Sequence, residues 1–228
     1  QTAAVCASYV QFSTGTQLDI TQLRKATSKV GAKLAVDITQ AAGALPLSVR
    51  DWQADLVVAS GYKWLGGHGG IAFAVLSDKL LQKQPPFIGW FGSENPFDMD
   101  AKNLKLAKTA SKYTQSTLSY ITAAGLNASI DELLKLGLNN IFEHSQKLAT
   151  ALISKLEGSG WAPFQSPESP GFSPHIVTLQ NPYCDVRATE ASLTENRIIC
   201  SIRNGRVRVS HAHYNSHDDV TALINCLQ

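Results

Sequence analysis

The chain has 228 residues, 44% of them hydrophobic, and 20 Lys and Arg against 18 Asp and Glu leave a net charge of +2. This fits one large or two modest globular domains with a sizeable core, and the near-balance of charge gives no electrostatic case for nucleic acid or a membrane surface as a partner. No apolar run reaches the roughly 18–20 residues that span a bilayer, no signal-peptide pattern opens the chain, and Cys6, Cys184, Cys200 and Cys226 are scattered without CxxC spacing, as free thiols in a reducing cytoplasm would be.

The chain starts with Gln1 and enters an apolar run almost at once, as the middle of a domain would, so a preceding segment is expected. Residues 3–12 read as a buried strand. In "LDITQLRKATSKVG", Asp19 can cap a helix carrying Leu23 and Ala26 on one face, and Gly31 can end it. "KLAVD", "ADLVVAS" and "GIAFAVLS" read as three further strands. Strands alternating with helical stretches predict an α/β fold with a largely parallel sheet. Residues 84–112, with three prolines and several aromatics, predict a long loop. From about Thr117 the pattern turns helical, with Leu118, Ile121, Leu126, Ile130, Leu133 and Leu134 at near-helical spacing, and "NNIFEHSQKLATALISKLEGSG" predicts a second long helix. After the turn-rich "SPESPGFSP", "HIVTL", "IICSIR" and "RVRVSH" read as strands around one helix, and "SHDDVTALINCLQ" as a closing helix capped by Ser216. A boundary near residue 135 divides the chain into 1–135 and 136–228.

Ligands of open α/β sheets sit at the carboxyl ends of strands, and Asp37, Gln40, Ser60 and Lys63 all follow such ends. A partly buried lysine has a lowered pKa and can condense with a carbonyl. Pyridoxal phosphate needs such a lysine, and a carboxylate to keep its pyridine nitrogen protonated. Asp37 lies one strand–helix–strand unit before Lys63, so neighbouring parallel strands could bring both to one ligand. Ser60 and the Tyr62 hydroxyl could donate to its phosphate. Each residue also has a plainer reading: Asp37 as a helix cap, Gln40 as a polar loop residue, Thr117 as a helix start, and Arg208, alternating with Arg206, on a solvated strand face. Ser60-x-x-Lys63 also fits the serine β-lactamase nucleophile motif, but its Ser-Asp-Asn and Lys-Thr-Gly companions are absent. His211 and His213 could share a strand face and bind a metal, but no further cluster supports that. No metal is therefore expected.

With these residues in place, the chain resembles the class V aminotransferase family of pyridoxal-phosphate enzymes. "VDITQAAG" is similar to the family's strand-end Asp-x-x-Gln, which implies Asp37 on the pyridine nitrogen and Gln40 on the ring's phenolic oxygen. "SGYKWLGGHGG" is similar to its lysine block, which implies a Lys63 Schiff base with the cofactor and phosphate contacts from Ser60 and from Tyr62, where many members carry histidine. "RVRVSHAHYNSHDDVTALI" is similar to the closing motif, which implies that Arg208, helped by Arg203, binds the substrate carboxylate.

The resemblance implies a fold-type I architecture with a smaller carboxy-terminal α/β domain, an amino-acid substrate, a homodimer, and aminotransferase, epimerase-like or C–S lyase-like chemistry. Three departures stand out. The family's amino-terminal phosphate loop and ring-stacking aromatic precede the stretch that this sequence covers. Ser116 replaces a glycine in "YTQSTLS", where Thr117 keeps a hydroxyl that would reach the partner subunit's phosphate. "IRNGRVRVS" has almost none of the loop that carries a catalytic cysteine in the desulfurases, so persulfide chemistry is disfavoured. The competing expectation is a non-catalytic remnant that acts as a structural or dimerising module.

Overall fold

The computed structural model describes residues 1–100, 102 and 104–227. Its amino-terminal half is built on a four-stranded sheet, β1 (Ala4–Ser8), β2 (Lys33–Asp37), β3 (Leu56–Ser60) and β4 (Ala72–Leu76), in the order β1-β2-β3-β4. β1, β2 and β3 are parallel, and β4 pairs with β3 antiparallel, Ser60 opposite Ala72. The direction follows from the connections. Helix α1 (Ile20–Lys29) carries the chain back between β1 and β2, and the short α2 (Val49–Trp52) lies between β2 and β3. The glycine-rich link from Ser60 to Ala72 holds no helix and is too short for a parallel crossover. The sheet is parallel-rich, as expected, with one reversed strand.

Local chemistry sets the α1 boundaries. Asp19 accepts from the Gln22 amide at 2.9 Å, and Gly31 follows at a φ of 70°. The predicted strand 3–12 stops at Ser8 instead. Beyond it the Gln11 side chain accepts from the Ser13 and Thr14 amides, and Gly15 turns the chain at positive φ. These local hydrogen bonds compete with a strand ladder. Asp55, buried just before β3, accepts from the Leu34 amide and pairs with Arg24 and Lys33, tying α1, β2 and β3 together.

After β4 come α3 (Asp78–Leu81) and 3-10 turns at Trp90–Gly92, Pro96–Asp98 and Ala110–Tyr113. Two long helices follow, α4 (Tyr120–Leu136) and α5 (Leu138–Ser154), separated by Gly137 at a φ of 83°. Helix α4 starts three residues later than the apolar spacing suggests. Leu126 and Leu133 face the core, whereas Leu118, Ile121 and Leu134 are exposed.

The second sheet is antiparallel: β5 (Ala162–Pro163), β6 (Ile176–Gln180), β8 (Arg206–Ser210) and β7 (Ser201–Arg203), in that spatial order. Helix α6 (Val186–Glu195) joins β6 to β7, and α7 (His217–Leu227) closes the chain. Gln228, the last residue of the predicted closing helix, lies outside the described residues. β7 and β8 are joined by Asn204 and Gly205 alone, both at positive φ, the two-residue hairpin that Asn-Gly favours. Ser216 and Asp219 cap α7 reciprocally: each side chain accepts from the other's amide.

Two apolar clusters result. One joins Leu34, Val36, Val57 and Ala59 to Leu126, Leu133 and Ile141. The other joins Leu148 and Leu152 to Leu179, Val207, Val209, Leu223 and Ile224. Helix α5 therefore gives Ile141 to the first core and Leu148 to the second. Among the described residues, no helix is long and apolar enough to cross a membrane.

Candidate functional site

Because β2 and β3 run parallel, with Asp37 opposite Val58, their carboxyl ends emerge side by side. Asp37 is the last residue of β2 and Ser60 the last of β3. Two links join the turns beyond them. The Ser60 amide donates to Thr39 Oγ1 at 3.0 Å, and the Trp64 indole Nε1 donates to Gln40 Oε1 at 3.0 Å. Asp37 Oδ1 accepts from the Thr39 amide at 2.7 Å. The structure thus brings Asp37, Gln40, Ser60 and the Lys63 loop to one end of the sheet.

The turns hold their shape through two glycines. Gly43 sits at a φ of 93°, and a Cβ there would overlap the Trp64 carbonyl. Gly66 sits at a φ of 72° with its amide on the Lys63 carbonyl, and a Cβ there would overlap Ser129 Oγ on α4. The segment after β2 and helix α4 therefore press on the lysine loop from two sides.

Lys63 itself departs from expectation. It is exposed rather than partly buried, and its Nζ lies 5.3 Å from the centroid of the Tyr62 ring, also exposed. The loop is anchored on either side of the lysine by the buried Gly61 and Leu65 and by Trp64, while the lysine side chain stays at the surface. Among the described residues, Lys63 Nζ, Asp37 Oδ2, Gln40 Nε2, Ser60 Oγ and the Tyr62 hydroxyl make no hydrogen bond.

The carboxy-terminal sheet reaches this end through two contacts. His175, fully buried beside β6, places Nε2 2.6 Å from the Gln40 carbonyl, meets the Trp64 ring edge-on at 4.6 Å, and has Ser173 Oγ 3.0 Å from Nδ1. Burial draws its pKa from 6.5 down to about 4, against the opposing pull of the Gln40 carbonyl, so the ring is neutral near pH 7. Its Nε2 is then the donor and Nδ1 accepts from Ser173. Arg208 on β8 donates Nη1 to the Phe12 carbonyl at 2.9 Å and Nη2 to Ser201 Oγ at 3.3 Å, while its buried Nε has no partner among the described residues. Burial, and then the Arg203 charge, lower the Arg208 pKa. Arg203 is exposed and, among the described residues, donates only to the neighbouring Ile202 carbonyl.

Other expected residues lie apart. Thr117 is exposed in the segment before α4 and makes no hydrogen bond among the described residues. β8 ends at Ser210, so His211 and His213 do not share a strand face: His211 is buried with Nδ1 3.1 Å from the Pro174 carbonyl, and His213 is exposed. Cys200, just before β7, is half-buried, and desolvation raises its thiol to about 11, so a nucleophilic thiolate is disfavoured there. A cavity of about 580 Å³ lies in the loop after β4, between Trp90, Glu94, Met99, Leu104 and Lys105, and none of the expected site residues lines it. His175 and the partner role of Trp64 were not foreseen. Neither has a local signal, since the histidine lies 135 positions from its Gln40 partner.

Comparisons with known proteins bear on the family and the fold. The uncharacterized aminotransferase YcbU of Bacillus subtilis is 25% identical over 99% of this chain and 59% of its own length. A kynureninase of Yarrowia lipolytica is 34% identical over 69% of this chain and 37% of its own. The apo cysteine desulfurase of Thermococcus onnurineus superposes with a TM-score of 0.86 at 23% identity, over 97% of this chain and 58% of that one, which shows the fold-type I architecture. The chain thus spans little more than half the length of the two that it matches end to end. Residues 1–223 match the family described as aminotransferase class-V, and the chain belongs to that family.

Proposed function

We propose that this chain carries the lysine-bearing part of a pyridoxal-phosphate-dependent enzyme acting on an amino acid. The observation that carries the proposal is the pairing of β2 with β3, which sets an unpaired Asp37 oxygen and the exposed Lys63 amine beyond adjacent strand ends. An amine, one carboxylate oxygen, an amide nitrogen and two hydroxyls, all without hydrogen bonds among the described residues, fit the functional groups of this cofactor. When bound, pyridoxal phosphate supplies an aldehyde that condenses with a primary amine and a protonated ring that withdraws electrons from the amino acid's Cα.

The chain's own residues have distinct tasks in this reading. Lys63 offers the amine and then takes and returns the proton at Cα. Asp37 holds the proton on the pyridine nitrogen. Gln40 donates to the phenolic oxygen, Ser60 and Tyr62 donate to the phosphate, and Thr117 serves the phosphate of a partner subunit in a homodimer. Arg208, already fixed by the Phe12 carbonyl and Ser201, pairs with the substrate carboxylate, with Arg203 adding positive charge nearby. The raised Cys200 pKa and the two-residue β7–β8 turn favour aminotransferase, epimerase-like or C–S lyase-like chemistry over persulfide transfer. The division into 1–135 and 136–228 belongs to the same proposal, supported by the change of core along α5.

The test is direct. Incubation with pyridoxal phosphate, borohydride reduction and peptide mass mapping should place the added mass on Lys63, and Lys63→Ala should remove both label and visible absorption band. A wild-type chain without label overturns the proposal and favours a structural or dimerising module.

A further inference from the structure

We propose that Trp64 is a positioning residue: its indole N–H holds the Gln40 carboxamide in one orientation, so that the amide NH2 is the end presented to the site. An indole nitrogen donates and never accepts. The Gln40 atom 3.0 Å from Trp64 Nε1 must therefore be the oxygen. The nitrogen is then the free end, and it makes no hydrogen bond among the described residues. A glutamine without this tie could turn its carboxamide over and offer an acceptor to an acceptor. With it, the flip would break the bond to the indole and set two donors face to face.

Three further contacts hold the pair in register. His175 Nε2 donates to the backbone carbonyl of the same Gln40, so main chain and side chain are both held. The His175 ring meets Trp64 edge-on, so one buried residue just before β6 braces both partners. Gly43 lets the segment carrying Gln40 close onto the Trp64 backbone. Trp64 adjoins Lys63, so the same side chain also restrains the lysine loop. The inference rests on the proposed function only for what the NH2 group faces; the orientation itself is a property of this chain.

The experiment has two arms. Without cofactor, NMR follows solvent exchange of the Trp64 indole N–H, identified among the four tryptophans by its loss in Trp64→Phe. Gln40→Leu should speed that exchange about fivefold or more, the effect of losing one hydrogen bond. Gln40→Glu, which keeps an accepting oxygen, should restore protection. Exchange unaffected by Gln40→Leu, or not rescued by Gln40→Glu, overturns the inference. With pyridoxal phosphate, the pH midpoint of the visible band is compared in wild type, Gln40→Leu, Trp64→Phe and the double variant. Trp64→Phe should move the midpoint in the same direction as Gln40→Leu, and the double variant no further than Gln40→Leu alone. Additive shifts would show that Trp64 does not act through Gln40. A wild type that takes up no cofactor defeats the proposed function, while the first arm still decides the orientation.

Discussion

The two sheets are buried in different ways. β3 alternates half-buried with buried residues, β2 does so after an exposed Lys33, and β4 is exposed at four of its five positions. β6 buries Ile176, Val177, Thr178 and Leu179 in succession. A strand covered on both faces serves packing, and the polar group it retains must be satisfied internally, as Thr178 is by donating to the Ser13 carbonyl. The more open sheet ends its parallel strands in the half-buried polar residues Asp37 and Ser60. The two sheets are tied together where His175 donates to the Gln40 carbonyl and Arg208 to the Phe12 carbonyl, and in the proposed function the first sheet carries the reactive groups.

The largest effects should come from the cores. Leu34 in the first sheet and Leu179 in the second are both fully buried. Truncating either to alanine should cost about 2–5 kcal/mol in denaturant unfolding. If the sheets are coupled as described, each truncation should lower amide-exchange protection in both. Loss confined to the truncated sheet would break the comparison.

Acid should act next, at the joint. His175 holds its ring neutral, with a pKa near 4 against an ordinary 6.5. The unfolded chain binds a proton that the folded chain refuses, so the stability tied to His175 is complete above about pH 6.5 and is lost as pH falls toward 4, by about 3 kcal/mol. His175→Phe should flatten that part of the stability–pH curve. An unchanged slope would mean that acid enters the structure elsewhere, and His211, whose pKa burial also lowers, is the next candidate.

The smallest effect concerns the helix that closes the second sheet. Ser216→Ala removes one half of the reciprocal α7 cap and should cost about 1 kcal/mol. The change should be seen in thermal unfolding, with the Trp64 indole exchange at the distant site unmoved.

Much of this was legible in the chain alone. β2 and β3 announced themselves as short apolar runs ending in polar residues, α1 by Asp19 and Gly31, and the short β7–β8 connection by the near absence of a loop in "IRNGRVRVS". Their signals are local: periodicity, caps and turn residues act within a few positions, so the order of the main strands and long helices and the candidates Asp37, Gln40, Ser60 and Lys63 could be read directly, while the short α2, α3 and β5 were missed. The reversal of β4 was not read, nor the end of β1 at Ser8, nor the exposed faces of Leu118, Ile121 and Leu134. Each depends on what lies across the fold rather than along it. The same holds for the Gln40 carboxamide. Its presence after a strand end follows from the sequence, whereas the way it faces was decided by Trp64 in the loop after β3 and by His175 just before β6. Hydrogen-bond direction is fixed by partners in space, and only the packed structure supplies them.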